Sequence, residues 1–207
     1  MKRISLVVAL VAVAYAGLIV GALAQEQFIV SKAKAAAFDN RMFGGQALAN
    51  AHACFVRRYD AAHLAQHPKQ TVSAMKLLVW AENSAEDKTI DYSFRVGAQY
   101  RDRPGDFDSV GYCDHAIASE AGHAVQFECN PDCDGGGMTI ALSKDNKSAI
   151  MSLGHIVVTE RGKPVDDKGE TLSGNGDDKV FRVDRADLSE CAELLTDSKE
   201  LAVLGHK

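Results

Sequence analysis

The feature that most restricts the fold is a series of short apolar segments that alternate every second residue, with polar turns between them. The clearest is DYSFRVGAQYR, where Phe94, Val96, Ala98 and Tyr100 alternate with Arg95, Gln99 and Arg101. Period two puts one side of a strand in a core and the other in water. Similar segments read SAMKLLVW, VGYCDHAIA, HAVQFEC, MTIAL, AIMSLGHIVVTE and KVFRV. Between them stand ENSAED, RDRPGD, SEAGH, NPDCDGGG, SKDNK and DDKGETLSGNGDD, which are rich in residues that turn a chain. Two short helices are expected: DAAHLAQHP, capped by Asp60 and closed by Pro68, and DLSECAELL, capped by Asp187. About seven strands with two short helices make a mainly β fold, an antiparallel sandwich or barrel. The chain does not repeat itself, which excludes a solenoid.

The first residues follow a different logic. Met1 to Arg3 is basic, Ile4 to Gly21 is apolar, and Ala22 and Ala24 offer small side chains where a signal peptidase reads them. This is the pattern of a signal peptide over residues 1–24, cleaved before Gln25. The run is also long enough to span a bilayer, so an uncleaved anchor is the alternative, and the only membrane attachment expected. Lys2 and Arg3 put everything after Ala24 outside the cytoplasm in both cases. Residues 25–50 are Ala-rich with Gly44 and Gly45 in the middle, and read as a partly helical connector. Residues 51–207 are the expected β domain, periplasmic or secreted and of bacterial type. The net charge of -5 leaves no basic field for nucleic acid.

Export decides how the cysteines are read. Cys54, Cys113, Cys129, Cys133 and Cys191 all follow the apolar run, and in an oxidising compartment they are staples. Five is odd, so one is left over. A hairpin centred on Ala121 sets Cys113 opposite Cys129, while Cys133, just past Pro131, could capture either. Cys54 opens the β domain and Cys191 lies in the last helical segment, so these two are expected to be joined across the domain.

The stretch CNPDCDGGGM invites a metal reading. Asn130, Asp132, Asp134 and Gly135 match the opening positions of an EF-hand loop, but Ala141 stands where the bidentate glutamate belongs. A stapled turn is the expectation and calcium on Asp132 and Asp134 the alternative. SGNGDDKVF, with Asp177 and Asp178, resembles one RTX nonapeptide, which implies calcium only where the repeat recurs. His63 and His67 have zinc-like spacing without a third ligand nearby except Asp60. Arg95, Arg101 and Arg103 with Tyr100 form either an anion- or protein-binding edge or merely the wet side of a strand. No nucleophile elbow, P-loop or dinucleotide fingerprint is present. The expected function is therefore a non-catalytic binding or envelope-interaction module, with no cofactor, whose partner is an envelope protein or a small ligand. A calcium-stabilised β module and a hydrolase without a recognisable motif are the alternatives.

The signal-peptide reading predicts that protein recovered from the exported fraction of an expressing bacterium starts at Gln25. Intact mass decides this, and a mass that retains Met1 to Ala24 means an anchor instead.

Overall fold

Alternation in the sequence becomes pairing in a single antiparallel sheet. The computed structural model describes residues 29–87, 89–118, 124–131, 136–163, 169–173 and 176–195. The expected signal peptide, the Ala121 turn, and Asp132, Cys133 and Asp134 lie outside the described residues. Nine strands are present: β1 (Asn50–Arg58), β2 (Val72–Asn83), β3 (Ile90–Tyr100), β4 (Phe107–Ile117), β5 (Val125–Pro131), β6 (Gly136–Leu142), β7 (Ser148–Glu160), β8 (Glu170–Ser173) and β9 (Val180–Ala186). They run in the order β6-β5-β4-β3-β2-β1-β9-β7-β8, and β6 pairs back onto β7, so the sheet closes into a barrel. Where β6 ends, β4 meets β7 directly through Phe107↔Glu160 and Asp108↔Thr159. The β5–β6 hairpin is thus a wedge set between β4 and β7 at one end of the barrel only.

The inward positions fill the interior. Phe55 of β1, Met75, Leu77 and Val79 of β2, Phe94 and Val96 of β3, and Phe181 and Val183 of β9 belong to one buried cluster. Successive strand residues face opposite sides, so Arg95 and Gln99 lie on the outer face, as the sequence pattern requires.

Two strands escape a search for alternation. In β1 the outer residues Cys54 and Val56 are buried as well as the inner Ala53 and Phe55, so the segment reads as continuously apolar. Their cover is the last described segment, a 3-10 helix (Leu188–Leu194) that packs Cys191, Leu194 and Leu195 on Cys54, Val56 and Leu78 outside the barrel. That segment comes so close that a Cβ on Gly97 would lie 2.8 Å from Leu194 Cδ2. Asp187 precedes it but makes no side-chain cap; polar ties hold it instead, Lys76 Nζ donating to Glu190 O at 2.6 Å and Arg95 to Leu194 O. The second missed strand, β8, has only four residues and sits in a stretch whose Gly and Asp content reads as a turn. Conversely, Gly136 and Gly137 belong to β6 itself, Gly136 at φ 91° beside a bulge in the β6–β7 pairing.

Residues 25–50 are more than a connector. Lys32–Met42 is a helix, α1, opened by Ser31 and burying Phe38 and Met42, with Phe43 just beyond, in the same cluster as the barrel interior. It covers the end where β3 begins and β4 ends: Phe38 meets Phe127 edge-on at 4.9 Å between ring centroids. Arg185 of β9 holds its last turn, donating to Met42 O at 2.9 Å and Arg41 O at 3.2 Å, where cations suit a helix C-terminus. A second helix, α2 (Ala61–Gln66), is capped by Asp60 as expected, its carboxylate accepting from His63 N at 2.7 Å.

Both disulfides fit the pairing. Cys113 and Cys129 are partners in the β4–β5 register and are bonded. Cys54 and Cys191 are bonded across 137 positions, locking the outer 3-10 segment to β1. Two disulfides mark a chain that folds in an oxidising environment outside the cytoplasm. Among the described residues no helix is long and apolar enough to cross a membrane.

Loop closure scales with length. The chain-entropy relation gives about 5 kcal/mol for the Cys54–Cys191 loop and about 3 kcal/mol for the Cys113–Cys129 loop. Removing the first pair (Cys54→Ser with Cys191→Ser) is expected to lower unfolding stability by about 2 kcal/mol more than removing the second. Denaturant melts of the two double variants measure the difference.

Candidate functional site

The barrel's two ends are finished differently. The α1 end is packed, with a small polar centre inside it. Asp39, 5% exposed, accepts from the Tyr92 hydroxyl at 2.8 Å through Oδ2, and His115 Nε2 lies 2.7 Å from its Oδ1. Burial, reinforced by the Asp39 carboxylate, pushes the Tyr92 phenol well above its ordinary pKa, so it remains a donor. Phe38, Tyr92 and Phe127 all contact the His115 ring. These bonds tie the helix to β3 and β4. Outside them lies an open cleft of about 680 Å³, edged by Glu86, Asp87, Asp91, Asp114 and the exposed Tyr112.

The opposite end carries a second cleft of similar size and openness, about 640 Å³, where β2 begins and β3 ends. One wall is β8, all four residues of it; the other is Lys69, Thr71, Tyr100, Asp102 and Arg103. Leu172, 3% exposed, packs into the barrel core beneath it. Tyr100 continues the inward series Phe94, Val96, Ala98 to the very end of β3. Its ring packs edge-on against Phe107 at 5.0 Å, and the Arg103 guanidinium lies over its face at 4.2 Å. The Tyr100 hydroxyl is buried, with the Arg103 guanidinium as its polar neighbour. Burial raises its pKa against the opposing pull of Arg103, so the phenol stays neutral at physiological pH.

The rest of the lining is committed. Asp178 is 3% exposed and spends its oxygens on the backbone and side chain of Thr71, accepting from N at 2.7 Å and Oγ1 at 2.6 Å, and from Val72 N at 3.4 Å. This clamp ties the segment before β9 to the start of β2 and borders the cleft. Arg103 reaches across the rim to Glu170. Their side chains are 39% and 44% exposed, so the pair contributes about 0.2–1 kcal/mol and opens cheaply.

The residues singled out by sequence divide accordingly. Asp177 and Asp178, expected as calcium ligands in the alternative reading, do not converge: Asp178 is the clamp, and Asp177 lies 3.8 Å from His67 Nδ1. Among the described residues no group of three or more His, Cys, Asp or Glu is placed to hold a metal. His63 and His67 share a helix face but stack ring on ring at 4.3 Å, continuing onto Tyr59 at 4.6 Å, instead of aiming at one point. His63 Nε2 also meets Gln70 Oε1 at 3.1 Å. The three arginines do not make one edge. Arg95 serves Leu194, Arg101 donates to Leu64 O at 3.2 Å behind α2, and only Arg103 joins Tyr100 in the cavity wall. Sequence reasoning missed Lys69, Thr71 and Leu172. The one available signal was Tyr100 itself, an inward aromatic at the last position of a strand with RDRPGD directly after it.

Searches against protein-family models, curated proteins and solved structures find no match to this chain.

The contrast between the two tyrosines is measurable. Tyr92→Phe removes a hydrogen bond to a carboxylate and is expected to cost about 1.5–3 kcal/mol. Tyr100→Phe removes no bond to a carboxylate and is expected to cost less, about 1 kcal/mol or under. Denaturant unfolding of both variants checks the pair, and a Tyr100→Phe loss as large as that of Tyr92→Phe contradicts the difference.

Proposed function

We propose that this protein is a non-catalytic binding module acting outside the cytoplasm, periplasmic or secreted, with its ligand held in the cavity between β8 and the ends of β2 and β3. The observation that carries the reading is the cleft of about 640 Å³ walled by β8 on one side and by Lys69, Thr71, Tyr100, Asp102 and Arg103 on the other. Binding sites of this size commonly hold a few fixed polar groups. The half-exposed Arg103–Glu170 pair at its rim offers a cation to a ligand carboxylate and a carboxylate to a ligand donor. Export is supported by the signal-peptide pattern of residues 1–24 and by the two disulfides.

Two histidine–carboxylate pairs occur among the described residues: Asp39–His115 fastens the helix that covers the barrel end, and His67–Asp177 is a partly exposed contact at 3.8 Å.

Ligand-observed NMR with a set of small amides, alcohols and carboxylates tests the assignment. Acceptor-bearing fragments are expected to bind weakly to the wild type, to bind more weakly to Arg103→Ala, which removes the rim cation, and to be excluded by Ser173→Trp, which fills the cleft from its wall. Fragment binding that both variants leave unchanged places the ligand elsewhere and ends the proposal.

A further inference from the structure

We propose that a second pocket, on the outer side of β9, binds a small carboxylate carried on an apolar body. It shares no lining residue with the cleft beside β8. Pairing between β1 and β9 covers only Cys54↔Ala186 to Val56↔Asp184, because the chain leaves the sheet after β1 and enters α2. Along its first half β9 therefore faces α2 and the residues leading to it, in place of a strand. The gap is a pocket of about 320 Å³, with Arg57, Tyr59, His63 and His67 on one wall and Val180 and Arg182 on the other. Both walls are continuous chain, residues 57–70 and 176–186. Phe181 and Val183 belong to the core, so Val180 and Arg182 point outward into the gap.

Two guanidiniums reach this pocket and share one carboxylate. Arg57 donates to Asp184 Oδ2 at 3.3 Å, whereas Arg182 Nε stays 3.7 Å from Asp184 Oδ1, beyond hydrogen-bond length. Arg182 makes no hydrogen bond among the described residues, and its side chain is 64% exposed. A guanidinium carries five N–H donors in a planar fork that fits a carboxylate at two points. The facing wall is preformed. Tyr59, His63 and His67 stack in a row at 4.6 and 4.3 Å, and Arg57 lies 5.2 Å over the Tyr59 ring. The faces of Tyr59 and His63 are thus taken by their neighbours, which leaves the ring edges, where the positive partial charge lies, for a ligand. The amide of the buried Gln70 donates to Val72 O at 2.7 Å, so its oxygen is what meets His63 Nε2 at 3.1 Å and holds that ring. Val180 is 51% exposed and supplies the apolar contact. It stands two residues before Arg182 on the same face, about 7 Å away, a distance that one ring with its carboxylate spans. Asp177 is the one acid in the lining, 3.8 Å from His67 Nδ1. It repels an anion, so its removal should favour binding.

Benzoate is the probe, titrated into the intact, oxidised, isotope-labelled protein while amide shifts are followed by NMR. The amides of His63, His67, Val180 and Arg182 are expected to move together. Arg182→Gln, which removes a charge-assisted pair at an exposed position, is expected to weaken binding about tenfold. Asp177→Asn is expected to act in the opposite direction and tighten binding about threefold. Val180→Asp, also at an exposed position, puts a second acid at the apolar contact and should abolish binding. Benzamide keeps the ring without the charge, and inorganic phosphate keeps a negative charge without the ring. Each is expected to bind at least about tenfold more weakly than benzoate. Ser173→Trp, in the wall of the β8 cleft, should leave these shifts unchanged. The proposal is overturned if benzoate moves none of the four amides, or moves only those of Glu170–Ser173. It is overturned equally if Arg182→Gln binds as well as wild type, if Asp177→Asn binds more weakly, or if benzamide or phosphate binds as well as benzoate.

Discussion

The length and partners of β7 govern the rest of the structure. Its thirteen residues pair with β6 and β4 along one edge and with β9 and β8 along the other. Four strands on one strand are possible because the partners divide its length: β9 takes Ser148–Ser152, and β8 takes His155–Val158. Closure follows, since β9 continues to β1 and β6 to β5. β9 stops at Ser152 of β7, so the rest of that edge pairs with the short β8, which ends the sheet order among the described residues. The cleft lies where β8 meets the ends of β2 and β3.

The two barrel ends then carry opposite roles. At the α1 end, Phe38, Met42 and Phe43 fill the mouth and the Asp39 bonds to Tyr92 and His115 satisfy the polar groups that go in with them. Burying a carboxylate is costly unless its oxygens are used, and here both are. At the β8 end Asp178 is used by Thr71 and Val72, and Arg103 is matched to Glu170 and lies over Tyr100. The difference between the two ends lies in what finishes them: apolar side chains of α1 at one, carboxylate and guanidinium contacts at the other.

Much of the fold was legible because barrel strands face core on one side and water on the other. Phe94 to Tyr100 alternates in sequence and in space for that reason. β1 was not legible as a strand because the segment joined through Cys191 covers its outer face, so Cys54 and Val56 look like core residues out of phase. That cover is a tertiary contact over 137 positions, which no local pattern contains. The Cys54–Cys191 bond could nonetheless be expected from topology, since domain ends lie close together. α1 was read as connector because its sequence KAKAAAFDNRM is mostly small and charged; two large side chains at the spacing of Phe38 and Met42, one turn apart, suffice to plug a narrow mouth.

The candidate site was less legible, and Asp178 shows why. An acidic pair after Gly176 invites a metal reading, because carboxylates in glycine-rich loops commonly meet cations. The same side chain equally suits a run of backbone donors, and the deciding fact is what stands opposite it. Here Thr71 and Val72 present two amides and a hydroxyl, enough to satisfy the carboxylate without an ion. Those donors lie more than a hundred positions earlier in the chain, at a strand start that sequence places only approximately. Tyr100 carries the complementary lesson. Its period marked it as inward-facing, and an inward tyrosine at a strand end is expected to find a partner for its hydroxyl. Its polar neighbour is Arg103, three positions on, whose guanidinium lies over the ring and reaches Glu170 of β8, so the residue that ends the strand also brings a cation to the mouth.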